Sequence, residues 1–481
     1  LHTLLGEKTF RKACNRYFDR FDGQAVTTDD FVSVMEEVSG LDLEQFRRWY
    51  FQAGTPEVSL QARHDAAAGT LVLELAQSTP NTPKQEDKQP FLIPLRIALF
   101  KSDGQRLPFE YQEQTCEETV LHLSAARQRI ELQAVSEPPA ISILRGFSAP
   151  VKLDFQQDED TLIFLAQHDD DAFNRWDAMQ RLSMLQIRGI MADDTQYPTA
   201  DYLKLYTHIL SDSQSDPALL AQLLTLPAES YISQEMEVID PDLVHRTRER
   251  LIRAIADANR AALHERYMQE HTHSSGEWTQ QETGYRALRD ACLAILMRIE
   301  NDGAYTHATR QYEQSACMTD TIAALACLNR SRYARKQVYL EDFYRQWHTE
   351  DLLVNKWFSL QSQQVGKQAL DNIVHLSKHP AFDEKNPNKV YALIGGLLHG
   401  NAVVFHSADG RGYAFAREWV LKLDAINPQV AARMVGCFNQ WRRYDENRQR
   451  LMREQMQIIA QHGGLSDNVS EIINKALGDP K

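Results

Sequence analysis

The sequence predicts a mainly α chain with one β domain. A short helical tail covers residues 1–53, an Ig-like β-sandwich 54–155, and a C-terminal α-superhelix of stacked helical hairpins 156–481. Two changes of period and one junction carry that prediction. Apolar residues recur at helical spacing up to Phe51, alternate at period two from Val58 to about Phe147, and return to helical spacing after about Phe164. The stretch from Phe46 to Pro56 reads as a helix end, with Gly54 after the last turn and Pro56 beyond it. A length of 481 residues exceeds one core and fits about three domains.

The tail predicts three short helices. Leu4, Leu5, Phe10 and Tyr17-Phe18 form a first apolar face, which Asp22-Gly23 ends. Thr27 with Asp30 is a capping-box signal for a second helix carrying Phe31, Val32, Val34 and Met35. Leu41 to Phe51 reads as a third. Helices this short are marginal alone, so the aromatics Phe10, Tyr17, Phe18, Phe46 and Trp49 are expected to pack on a larger body.

Strands follow. Leu71, Leu73 and Leu75 alternate with Val72, Glu74 and Ala76, and Phe91 to Leu99 repeats the pattern. Ser102-Asp103-Gly104 is a tight turn, Leu121, Leu123, Ile130 and Leu132 continue the alternation, and Pro138-Pro139 ends a strand. Pro94 predicts an edge or a bulge. Gln77 to Gln89 reads as a long exposed loop. Beyond Phe147-Ser148-Ala149-Pro150 come helices at about Asp171–Ile187, Pro198–Leu210, Pro217–Leu224, Pro241–Tyr267, Gly284–Ile299 and Met318–Leu328, often opened by proline. Over 300 residues of helix and turn bury themselves most simply as stacked hairpins.

A net charge of −14 argues against nucleic acid or an anionic membrane as the main partner. No apolar run approaches the roughly 18 residues of a membrane span. Opening on Leu1-His2-Thr3 without an initiator Met or a signal peptide, the chain is expected to be a fragment. Six cysteines without C-x-x-C spacing suit a reducing, cytoplasmic compartment.

Chemistry-bearing patterns are sparse. His264-Glu265 is the only H-E pair, and Met268 stands where a zincin needs its second histidine, so His264 is expected on a solvated helix surface. His271 and His273 lie in a polar stretch without a third ligand. Gly395-Gly396 within a helical pattern suggests close helix packing. Asp158-Glu159-Asp160 and Asp169-Asp170-Asp171 are expected to complement helix starts. No catalytic residue and no metal ligand is assigned. Two Asn-Pro helix starts, at Asn386-Pro387 and Asn427-Pro428, stand out. After the second, Gln429 and Arg433 share one helix face.

Many runs, in order, resemble bacterial aminopeptidase N, a zinc exopeptidase of the H-E-x-x-H class. They are Leu4-Leu5-Gly6-Glu7, Thr28-Asp29-Asp30-Phe31, the spacing of Trp49, Gln52, Gly54 and Pro56, and Phe147 to Leu153. Phe173, Arg175-Trp176-Asp177-Ala178 and Gln180 follow, then Met318-Thr319-Asp320, Ala323-Ala324-Leu325, Lys356-Trp357-Phe358 and Gln361. Asn386-Pro387-Asn388, Asn427 to Ala431 with Arg433, and Arg443-Tyr444-Asp445 complete the series. The resemblance implies that residues 1–53 are the last helices of a thermolysin-like catalytic domain. It implies zinc in the full-length enzyme, held by ligands outside this chain, so that this segment alone is inactive. It further implies a superhelix that caps the active site and gates peptide access, lined near substrate by Gln429 and Arg433. A third basic position of the family is here Tyr391. The implied partners are peptides and the upstream catalytic domain, with neither nucleic acid nor membrane. The alternative is a non-catalytic helical-repeat interaction scaffold carrying a β-sandwich.

Overall fold

The computed structural model describes residues 1–273 and 278–478, the side chains of residues 272 and 273 excepted. Two compact units divide the chain, Leu1–Leu182 and Ser183–Lys481, and the division falls inside the Ala172–Ala192 helix.

In the first unit the predicted capping box forms. The Thr27 hydroxyl accepts from the Asp30 N–H, and Asp30 accepts from Thr27, opening the Thr28–Ser39 helix. Leu5, Ala13, Val32, Met35 and Leu43 are buried together, with Phe10, Phe31 and Phe46 against them. The predicted third helix shrinks to Arg48–Phe51. Tertiary bonds claim the residues before it: Gln45 Nε2 donates to the Pro90 and Ser124 carbonyls at 3.1 and 2.6 Å. Trp49 does not await another body. Its ring lies 4.4 Å from that of Phe91, and its Nε1 donates to the Leu92 carbonyl at 3.0 Å. Gly54 has φ +99°, and a Cβ there would sit 2.9 Å from Thr79 Cγ2, so both conformation and space favour glycine.

Nine strands build the sandwich: β1 Glu57–Asp65, β2 Thr70–Ser78, β3 Ile93–Phe100, β4 Phe109–Tyr111, β5 Gln114–Cys116, β6 Glu118–Leu123, β7 Arg127–Leu132, β8 Ala140–Ile143 and β9 Lys152–Asp154. One sheet runs β7-β2-β1-β9, another β6-β3-β8, and β4 pairs with β5 alone. The register Leu60↔Leu75 and Leu73↔Ile130 in one sheet, and Ile93↔Leu123 and Leu95↔Leu121 in the other, turns alternate apolar residues into one shared core. Pro94 sits where β3 has β6 beside it but β8 does not reach, which spares its missing N–H.

After β8 the chain turns through Leu144, Gly146 and Phe147, all at positive φ, and this aims Arg145 inward. The Arg145 side chain is 3% exposed and meets Glu118 at 2.7 Å, Asp169 at 2.6 Å and Asp170 at 2.5 Å. Here the acidic clusters divide. Asp158 and Asp171 do open helices, accepting from the Thr161 and Asn174 N–H groups at 2.8 and 3.0 Å. Asp169 and Asp170 instead neutralise Arg145, and Asp170 also pairs with Arg106 at 2.8 Å.

The second unit is helical. Its neighbours pack in pairs: Arg260–His273 on Gln280–Leu296, Asp302–Gln314 on Met318–Arg330, and Arg411–Asp424 on Pro428–Val435. The continuous helix read over Pro241–Tyr267 breaks at Asn259, whose side-chain amide donates to the Leu203 and Ile255 carbonyls at 3.2 and 3.1 Å. His406 lies buried between two phenols, Nδ1 3.0 Å from Tyr413 and Nε2 2.9 Å from Tyr444. Among the described residues, no helix is long and apolar enough to cross a membrane. All six cysteines are free.

Candidate functional site

Two short helical segments bring the site together. The first opens at Asn386, whose side chain accepts from the Asn388 N–H at 3.0 Å, with Pro387 in the first turn. It runs Pro387–Val390, widens into a π-turn over Tyr391–Gly395, and closes as Gly396–Gly400. The second is Pro428–Val435. Asn427 caps it, accepting from the Gln429 and Val430 N–H groups at 3.2 and 3.3 Å. Val430, Ala431, Met434 and Val435 are buried, which leaves Gln429 and Arg433 together on the exposed face, as their spacing predicts.

Packing registers the two segments. A Cβ on Gly395 would lie 3.5 Å from Met434 Cε, an ordinary contact, while one on Gly396 would run into the Ser362 hydroxyl. The Asp351–Ser362 helix thus comes close against the π-turn, and Gln363 Nε2 donates to the Gly396 carbonyl at 2.9 Å. The paired glycines serve packing.

The polar groups at this junction differ in how far they are committed. Lys389, the basic residue of the Asn-Pro-Asn run, is buried and bound to Asp351 at 2.7 Å. Arg433 has no such partner: among the described residues, no carboxylate lies within ion-pair distance of it. Its guanidinium carbon instead sits 4.6 Å from the centroid of the Tyr391 ring, a cation–π arrangement. Tyr391 is therefore the platform on which the Arg433 guanidinium rests. His399 faces the same segment. Partial removal from water holds its imidazole below the ordinary range, the Arg433 backbone works the other way, and the Arg433 charge adds to the lowering. Sequence reasoning missed the Tyr391–Arg433 stack and His399. The pairing joins residues about forty positions apart, and no local spacing announces it.

Chemically, a guanidinium covered on one face keeps its in-plane N–H groups for a planar acceptor, and a neighbouring amide both donates and accepts. Among the described residues the histidines form no comparable centre. His264 is exposed as read, and its Nδ1 lies 2.9 Å from His307 Nε2. The side chain of His273, the suggested companion of His271, and the Ser274-Ser275-Gly276 stretch lie outside what the structure describes. Among the described residues, no three His, Cys, Asp or Glu side chains converge as a metal site.

An Ig-like sandwich followed by a long array of helical hairpins defines the class of this chain. Residues 54–156 match the family described as "Domain of unknown function (DUF3458) Ig-like fold". Residues 159–478 match "Domain of unknown function (DUF3458_C) ARM repeats", and the chain belongs to that family. It is 34% identical over 488 residues to aminopeptidase N of Escherichia coli (strain K12), covering 99% of this chain and 55% of that protein. Aminopeptidase N of Caulobacter vibrioides is 36% identical over 486 residues, with the same coverage of both chains. Among solved structures, the crystal structure of Legionella pneumophila aminopeptidase A in complex with aspartic acid matches with a TM-score of 0.87 at 26% identity, over 99% of this chain and 55% of that one. The resemblance read from the motifs therefore holds, and the chain corresponds to a C-terminal part of an aminopeptidase N-like protein. It spans about half the length of the curated relatives it matches.

Proposed function

We propose that this chain is the non-catalytic C-terminal part of a zinc aminopeptidase, that its helical array bounds the approach of peptides to the active site, and that Gln429 and Arg433 contact the carboxyl side of a bound peptide. The observation that carries this reading is an exposed arginine held on an aromatic ring with no carboxylate of its own among the described residues. A guanidinium so placed suits the terminal carboxylate of a short peptide. No described residue of this chain is assigned to the metal, which in this reading belongs to the catalytic domain. Residues 1–53 are then the end of that domain. Phe18 and Phe51, 63% and 64% exposed, support this as apolar surface that a catalytic domain would cover. Six unpaired cysteines suit a reducing compartment such as the cytoplasm.

The test is Arg433→Ala in the enzyme comprising this chain and its catalytic domain. The kcat/KM for trialanine is expected to fall by about 1–3 kcal/mol of transition-state binding, with a smaller loss for an alanine anilide, which has no carboxylate. Equal losses for both, or none for the peptide, would reject the assignment. An enzyme indifferent to the whole array would favour the interaction-scaffold alternative.

A further inference from the structure

We propose that Tyr391 is a positioning residue. Its ring takes one face of the Arg433 guanidinium, orienting the cation without neutralising it, so that the N–H edge is kept for a single peptide carboxylate. This rests on the function proposed above and adds the device that sets the geometry of the contact.

Three other arginines of the chain are held by carboxylates. Arg145 has three carboxylates, Arg289 meets Asp320 at 2.5 Å, and Arg448 is bound by Asp445 and Asp242 at 2.7 and 2.5 Å. Each is fixed by opposite charge, and each has donors bound to carboxylates within the fold. Arg433 is fixed differently, by a ring 4.6 Å away. A carboxylate used as a holder would occupy the fork of donors that a substrate carboxylate needs, and would cancel the charge that attracts it. A ring stacked on the face does neither, because the five N–H groups lie in the guanidinium plane.

The backbone explains why the ring is available. Tyr391 begins the π-turn, and Gly395, at its end, packs on Met434, next to Arg433. In a regular α-helix, residues 391 and 395 would be offset by about 40° around the axis. The wider turn changes that phase, and Tyr391 and Gly395 both meet the Arg433–Met434 step. Such π-turns are often found at functional sites. The Pro428–Val435 helix is itself fixed by its Asn427 cap, so ring and guanidinium are both presented by ordered backbone.

The experiment compares Tyr391→Phe, Tyr391→Leu and Arg433→Ala in the enzyme comprising this chain and its catalytic domain. Tyr391→Leu is expected to raise the KM for trialanine about 2- to 5-fold, the worth of an exposed cation–π contact, with less change in kcat. Tyr391→Phe is expected to retain the parent KM. A second readout uses residues 1–481 alone. In NMR spectra of arginine Nε–Hε groups, the Arg433 signal is expected to be ring-shifted in parent and Tyr391→Phe, and to lose that shift in Tyr391→Leu. If Arg433→Ala spares the peptide, the proposed function fails. If Arg433→Ala weakens peptide use while Tyr391→Leu leaves both KM and the Arg433 signal unchanged, only the positioning role fails. Equal loss in Phe and Leu variants would assign the effect to the phenol hydroxyl and overturn it too.

Discussion

Arg145 in the first unit and Arg433 in the second are the same residue put to opposite uses. Arg145 follows a left-handed turn, is 3% exposed, and meets Glu118, Asp169 and Asp170. Burial works against its charge, and Asp169, Glu118 and Asp170 more than offset that, so the guanidinium is held above its ordinary range. Arg433 is exposed, touches a ring, and faces water. The difference shows how to tell a structural cation from an available one. The first has its hydrogen-bonding capacity consumed by the fold, and the second is oriented by the fold but left unsatisfied.

The largest expected effect lies on the structural side. Arg145→Ala would strand the buried Asp169 carboxylate, and the loss of one partner from a buried pair costs about 3–5 kcal/mol. Hydrogen exchange should report it as faster amides in β3, β6 and β8. Unchanged protection there would mean that Arg145 is no keystone of the first unit.

His406 extends the structural class to a titratable group. Its imidazole is held neutral by burial, with a further push from the Arg448 charge, and titrates at about 3 rather than 6.5. The folded value is depressed, so the fold favours the neutral ring. That contribution is complete above pH 6.5 and is lost as pH falls toward 3. Its slope is up to about 1.4 kcal/mol per pH unit. Unfolding of the second unit measured across that window should steepen with acid in the parent, and His406→Gln should flatten the curve. Parallel curves would show that other groups carry the acid sensitivity.

Beside the candidate site the effects shrink. Gly396→Ala is expected to cost about 1–3 kcal/mol through its clash with Ser362, whereas Gly395→Ala should be neutral or slightly stabilising, since alanine suits a helix better. Thermal unfolding of the two variants decides between them. Smallest of all, Arg433→Ala should shift stability by no more than about 0.5 kcal/mol, as for a surface residue without a buried partner. A loss comparable to that of Arg145→Ala would make Arg433 structural and erase the contrast.

The sequence announced features whose cause is local. The Thr27–Asp30 box and the Asn386 and Asn427 caps depend on residues two or three positions apart, and Gln429 with Arg433 follows from helical period alone. The sandwich was legible because period-two alternation forces one face inward. What stayed hidden depends on distant partners. Leu41–Phe51 looks helical, yet Gln45 and Trp49 bond to the 90–92 segment and to Ser124. Asp169 and Asp170 look like helix-start acids until Arg145 arrives from another turn. Tyr391 looks like a lost charge, and only the π-turn shows it to be the support of the remaining one.

That Arg433 reads a terminal carboxylate is tested most directly by removing the carboxylate rather than the arginine. In the enzyme comprising this chain and its catalytic domain, kcat/KM would be measured for trialanine and for its C-terminal amide, in parent and in Arg433→Ala. The parent should prefer the free acid, and the preference should vanish in Arg433→Ala because only the acid loses. A preference of equal size in both enzymes would contradict the account.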